Sequence, residues 1–173
     1  GNLCRVLLDG DGGEGDALGK GNLRLKGIRS TNPVVVGDRV ELQPTREDLE
    51  HPYYITAICP RRNYIIRKAS NLSKESHILA ANIDVALLVV TMIQPETSFT
   101  FVDRFLATAE AYDIPVVLLF NKIDLYGEEE NRRLAEWQSI YAPLGYPTLS
   151  ISATEGIGLE EVWPHIAEPS GVG

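Results

Sequence analysis

The sequence predicts a small β barrel followed by an α/β unit built on a parallel sheet, and three observations carry that prediction. Residues 1–68 hold short, partly alternating apolar runs broken by Gly, Pro and Asn. From residue 83 onward the apolar runs become continuous and alternate with segments of helical period. One of those runs ends directly in the polar tetrapeptide Asn121-Lys122-Ile123-Asp124.

In the first part, Val6-Leu7-Leu8, Asn22 to Ile28, Gly37 to Leu42 and Tyr53 to Ile58 read as strands. The Gly- and Asp-rich segment from Asp9 to Gly21 reads as a mobile loop; Gly13 and Glu14 exclude an EF-hand register there. A five-stranded barrel of the OB type suits this pattern, and composition equally allows an SH3-like barrel. Residues 69–82 form a polar connector. Ile83 to Val90 then reads as a buried strand. Phe101, Phe105, Ala109 and Tyr112, with Val102 and Leu106 beside them, predict a helix capped by Thr100 with Asp103 three residues on. Ile114 to Phe120 is the next buried strand. Leu134, Trp137 and Tyr141 place a second helix that stops near Gly145, Pro147 to Ser152 is a third strand, and Leu159 to Trp163 begins another helix. Strand–helix alternation with β-branched strands means a parallel sheet covered by helices.

Apolar content of 44% and charged content of 23% are ordinary globular usage. No apolar run approaches the roughly 18 residues that a membrane helix needs, and no secretory signal opens the chain. Cys4 and Cys59 lie far apart without CxxC spacing and read as reduced thiols of a cytoplasmic protein. His51, His77 and His165 have no ligand-spaced partners, so no metal site is legible. The net charge of −8 is uneven: residues 1–80 carry 12 Lys and Arg against 10 Asp and Glu, the remainder 4 against 14. Such halves suggest two domains with different partners, the first of them able to approach RNA.

The tetrapeptide carries the chemistry. A carboxylate at Asp124 can accept from both the ring N1–H and the 2-amino group of guanine, donors that adenine lacks in that place. A site built on such a contact discriminates by about 10⁴. The Asn121 amide suits the purine N7 edge and can also tie loops together. The Lys122 stem can cover the base while its ammonium stays wet. Ser152-Ala153, after the next strand, would present the Ala153 N–H to guanine O6. Both elements then lie at carboxyl ends of parallel strands, where open α/β sheets bind ligands. The plainer alternative is a polar turn followed by a Ser-rich loop.

Ser170-Gly171-Val172-Gly173 matches the middle of a phosphate loop but comes after the base-reading elements, the reverse of the usual order. Glu168 stands where the first glycine belongs, and no strand separates the Leu159 helix from this tail. By itself the tail reads as a flexible terminus more readily than as a phosphate cradle. Arg24, Lys26, Arg29, Arg61, Arg62, Arg67 and Lys68, interleaved with Tyr53, Tyr54 and Tyr64, form a candidate RNA-binding set; a solvated basic surface over core tyrosines explains them equally.

Arg24-Leu-Lys26-Gly27-Ile-Arg29-Ser-Thr-Asn32-Pro33 with Val36-Gly37-Asp38-Arg39-Val40, Ala80-Ala81-Asn82-Ile83-Asp84, Asp103-Arg104, Asn121 to Asp124 and Ser152 to Leu159 together resemble the ribosome-small-subunit-dependent GTPase A family, also called RsgA or YjeQ. The resemblance covers nearly the whole chain. It implies an OB-fold RNA-binding domain over residues 1–68, a connector over 69–82, and over 83–173 the first half of a circularly permuted P-loop GTPase domain. It implies GTP or GDP at Asn121, Lys122, Asp124, Ser152, Ala153, Ser170, Gly171, Val172 and Gly173. Mg2+ and one Zn2+ are implied with ligands outside these residues, as are the catalytic groups. The implied role is GTP hydrolysis in late maturation of the small ribosomal subunit, by a cytoplasmic monomer that binds rRNA. The alternatives are a guanine-nucleotide-dependent RNA-binding module without significant hydrolysis, and a generic nucleotide-binding fragment. The junction from Ile166 to Pro169 lacks the strand that a phosphate loop requires, which predicts a polypeptide longer than these 173 residues.

Overall fold

A computed structural model describes residues 3–10, 12–19, 34–45, 52–68 and 76–167. The chain divides into two compact units, Gly1–Ile83 and Asp84–Gly173.

The first unit is all-β and OB-like. Strands β1 (Leu3–Leu7), β2 (Glu14–Gly19), β3 (Val40–Pro44) and β4 (Tyr53–Ile58) form a sheet of order β1-β2-β4-β3. β1 pairs antiparallel with β2, β2 parallel with β4, and β3 antiparallel with β4. Part of the segment expected as a mobile loop is therefore β2. Its Ala17 is fully buried, and Gly15 sits where a larger residue would collide: a Cβ there would come within 2.8 Å of the Tyr53 ring. Likewise β6 (Ser76–Ala81), within the span read as a connector, pairs antiparallel with β5 (Tyr64–Lys68).

Two devices hold this unit together. Asp38 and Arg61 form a bidentate ion pair, with Nε to Oδ1 at 2.7 Å and Nη2 to Oδ2 at 2.8 Å. Their side chains are 1% and 7% exposed. The Val35 N–H also donates to Asp38 Oδ2. Next to it, Asn63 clasps the backbone of Ile83, its Nδ2 donating to the Ile83 carbonyl while its Oδ1 accepts from the Ile83 N–H. Asn82 donates from Nδ2 to the Gly37 carbonyl, and the Ala81 N–H donates to the Val36 carbonyl. The approach is so close that a Cβ on Gly37, at φ +87°, would stand 2.0 Å from the Ala81 oxygen.

The second unit carries a parallel sheet of order β7-β8-β9: β7 (Ala86–Val90), β8 (Val116–Phe120) and β9 (Thr148–Ser150). Every residue of β8 is buried. Helix α1 (Phe99–Ala111) links β7 to β8, and α2 (Glu128–Tyr141) links β8 to β9. α1 is capped by Ser98, whose Oγ accepts from the Phe101 N–H, not by Thr100, which lies inside the first turn. Its buried stripe is Val102, Leu106 and Ala109, while Phe101 stays 52% exposed. Leu134, Trp137 and Tyr141 form the buried face of α2 as the spacing predicts. Phe99, Phe120, Trp137 and Tyr141 make one aromatic cluster with ring centroids 5.1 to 6.4 Å apart. The Tyr141 hydroxyl donates to Asp103 at 2.9 Å, and burial together with that carboxylate pushes its phenol far above the ordinary value. Val117, Leu119, Ile151 and Val162 form a further core with Val85 and Leu149. The chain then runs through a 3-10 turn, Leu159–Glu161, into the short α3 (Trp163–Ile166).

The buried pair gives a direct test. Arg61→Ala strands the Asp38 carboxylate without its counter-charge and is expected to cost about 3 kcal/mol. The double variant with Asp38→Ala should recover a substantial part of that loss. Urea denaturation of the three proteins measures both, and a single-variant loss under about 1 kcal/mol would show that the pair contributes little.

Candidate nucleotide-binding site

Because β7, β8 and β9 run parallel, their carboxyl ends deliver three loops to one edge of the sheet. The loop after β8 is Asn121 to Tyr126, that after β9 is Ile151 to Gly158, and that after β7 is Thr91 to Ser98. The strand ladder continues into them. The Asn121 N–H donates to the Val90 carbonyl at 2.8 Å, the Ile151 N–H to the Phe120 carbonyl at 2.8 Å, and the Ile123 N–H to the Ile151 carbonyl at 3.3 Å.

Side chains complete the stitching. Asn121 Oδ1 accepts from the Ala153 N–H at 3.0 Å, so the two sequence-predicted elements meet directly. The Ala153 N–H, expected to face guanine O6, is thereby engaged. With one hydrogen to give, it reaches a purine oxygen only as a shared donor or after Asn121 moves. Ser152 is fully buried; its Oγ accepts from the Glu155 N–H at 3.2 Å, and its backbone exchanges two bonds with Ile157 at 3.0 Å each. This loop needs Gly158: at φ +71° a Cβ there would lie 2.5 Å from the Ser150 carbonyl oxygen.

Lys122 takes the left-handed conformation, φ 69° and ψ 31°, unusual for a residue with a side chain. Its flanking backbone is pinned on both sides, which lets the conformation persist. The Lys122 ammonium, expected in water, donates to the Gln94 carbonyl in the loop after β7 in an exposed bond. Asp124 lies on a single 3-10 turn, Ile123–Leu125, with its side chain exposed.

Tyr126 is a site residue that the motif does not indicate. Its hydroxyl donates to the Asn121 carbonyl at 2.7 Å and accepts from the Met92 N–H at 3.0 Å. Burial holds its phenol above the ordinary value, so it stays protonated and plays both parts at neutral pH. No spacing rule marks such a residue, because both partners are backbone groups. Thr91 closes its own loop, its N–H donating to Thr97 Oγ1 at 3.0 Å and its carbonyl accepting from the Thr97 N–H at 2.8 Å.

Of the basic set, Arg61 is committed to the buried pair with Asp38 and offers no surface to a phosphate backbone. A surface reading of adjacent arginines could not see that its neighbour in space is an acid 23 residues away. Arg62 is exposed and donates from Nη2 to the Ile83 carbonyl at 3.1 Å. Arg67 and Lys68 end β5. Arg24, Lys26 and Arg29, like Ser170, Gly171, Val172 and Gly173, lie outside the described residues. Among the described residues no group of three His, Cys, Asp or Glu could hold a metal, and no helix is long and apolar enough to cross a membrane.

The Asn121–Ala153 bond is testable here. Asn121→Ala should speed amide exchange at Ala153 and cost about 1 kcal/mol of stability. Unchanged protection at Ala153 would mean that the bond does not hold the second loop.

Comparison with known proteins adds findings of three kinds. A family model described as RsgA GTPase matches residues 58–173. A protein of Porphyromonas gingivalis named small ribosomal subunit biogenesis GTPase RsgA is 59% identical over 152 residues, covering 88% of this chain and 48% of that protein. A relative in Bacteroides thetaiotaomicron, named small ribosomal subunit biogenesis GTPase RsgA 2, is 56% identical over 83% of this chain and 45% of its own length. Among solved structures, YjeQ from Thermotoga maritima is 33% identical with a TM-score of 0.70, over 95% of this chain and 52% of that one. YloQ, described as a circularly permuted GTPase, is 26% identical with a TM-score of 0.65, over 94% of this chain and 52% of that one. The chain thus spans about half the length of the curated relatives it matches.

Proposed function

Since this chain belongs to the RsgA GTPase family, we propose that it is the RNA-approaching and base-reading part of a GTP-hydrolysing factor acting in maturation of the small ribosomal subunit. The observation that carries this reading is the meeting of Asn121–Asp124 with Ser152–Ala153 at adjoining strand ends, joined by the Asn121–Ala153 bond. Asp124 reads the N1–H and 2-amino group of guanine, Asn121 serves the N7 edge through its amide hydrogens, and Lys122 flanks the base. Exposure of the Asp124 carboxylate leaves it open to a ligand. The phosphates fall to Ser170–Gly173; of the span 69–82 read as a connector, 76–81 is strand β6 of the first unit, so the base-reading part begins near Asp84.

Within this family Mg2+ supplies charge neutralisation on the phosphates, and Zn2+ structural cross-linking. The same reading places the ligands of both ions outside these residues. The names of the relatives support the small subunit as partner. The basic residues support rRNA contact through phosphates, carried by Arg24, Lys26, Arg29, Arg62, Arg67 and Lys68 now that Arg61 is spoken for. A cytoplasmic monomer is the corresponding cellular form.

Asp124→Asn in the full-length protein places an amide where two donors once met a carboxylate. Guanine affinity should fall on the order of 100-fold. Xanthosine nucleotides, whose C2 oxygen accepts from the new amide, should gain. Competition of GTP, ATP and XTP against a fluorescent GDP measures it; native GTP affinity in the variant would refute the role of Asp124. For the barrel, Arg24→Ala, Lys26→Ala and Arg29→Ala together should flatten the salt dependence of subunit binding, by about one in slope for each lost phosphate contact. An unchanged slope in a pelleting assay removes these three from the interface.

A further inference from the structure

Tyr126 stands two residues beyond Asp124, and the base-reading pattern asks for nothing at that position. Its hydroxyl bond to the Asn121 carbonyl closes residues 121–126 into a ring that contains Lys122 and Asp124. Its bond from the Met92 N–H fastens that ring to the loop after β7. The same loop receives the Lys122 ammonium at Gln94 and is itself closed by Thr91 and Thr97. On the far side the Asn131 amide donates to the Gly127 carbonyl at 2.8 Å and to the Tyr126 carbonyl at 3.4 Å, joining the ring to the start of α2.

The consequence concerns Asp124. Its carboxylate is exposed on one 3-10 turn, so its place is set by the backbone of that turn. Tyr126 clamps that backbone at both ends of the ring. We propose that Tyr126 is a positioning residue for guanine selectivity: through the Asn121 carbonyl and the Met92 N–H it sets the stance of Asp124, and so decides how strongly the site favours a purine bearing a 2-amino group over one lacking it. The inference depends on the base-reading role of Asp124 proposed above. Tyr126 need not touch the base. A tyrosine that merely filled space would affect all purines alike, whereas misplacing Asp124 removes the contact that only the 2-amino group can use.

The test uses the full-length protein, with GDP, IDP and ADP competing against a fluorescent GDP; IDP lacks the 2-amino group. Tyr126→Phe keeps the aromatic side chain and removes both hydroxyl hydrogen bonds. GDP affinity is expected to fall about tenfold and IDP affinity only about twofold, so the GDP-to-IDP ratio narrows. A wild type that does not prefer GDP to ADP overturns the base-reading role and this inference with it. A guanine-selective wild type with a variant of unchanged GDP-to-IDP ratio overturns the Tyr126 assignment alone. Amide exchange in the wild type gives a second reading that needs no variant. GDP should slow exchange at Met92 more than IDP does, and equal slowing overturns the assignment.

Discussion

The second unit depends on β8. Val116 to Phe120 are all buried, and the strand is hydrogen-bonded along both edges, to β7 and to β9. A strand held on four sides cannot slip or tilt without breaking two ladders and two cores, since a one-residue shift would turn its side chains to the opposite faces. Phe120 packs toward Trp137 on one face, while Val117 and Leu119 meet Ile151 and Val162 in the second core. Its end is therefore a stable platform, and the candidate site begins at the next residue.

The loop after β8 is not rigid by itself. A short turn with a left-handed lysine would sample many states in isolation, and each fixed residue costs about 1–2 kcal/mol of backbone entropy. It is instead ordered from outside by backbone bonds to Val90 and Ile151, by the Asn121–Ala153 tie and by the Tyr126 hydroxyl. These contacts are made within the chain itself, and together they fix the backbone that carries Asn121, Lys122 and Asp124.

The β unit solves a different problem. Asp38 and Arg61 are both withdrawn from water, an arrangement that stabilises only when geometry is good and the remaining polar atoms find partners. Two parallel bonds and the Val35 N–H meet that condition for the carboxylate. The pair links the segment before β3 to the segment after β4, and the Asn63 and Asn82 clasps add the end of β6. An arginine that looks electrostatically available in the chain is thus structural.

By itself, the sequence determined the period of β7, β8 and α2 and marked two loops as a candidate site. Unbroken apolar runs announced β7 and β8, the spacing of Leu134, Trp137 and Tyr141 announced α2, and Asn121–Asp124 with Ser152–Ala153 announced the site. These signals are local, and burial or a short motif leaves them in consecutive residues. β2 was hidden because its Gly- and Asp-rich sequence has poor strand propensity and is ordered by its neighbours β1 and β4. β6 was hidden for another reason: its apolar residues, Ile78 to Ala81, are few and adjoin a polar stretch, and the strand is defined by its pairing with β5. Only tertiary structure decided that Arg61 faces Asp38, that Ala153 gives its N–H to Asn121, and that Tyr126 spans Asn121 and Met92. Each of these joins groups far apart in the chain, or uses backbone atoms that every residue carries, and neither kind of contact leaves a mark in residue type or spacing.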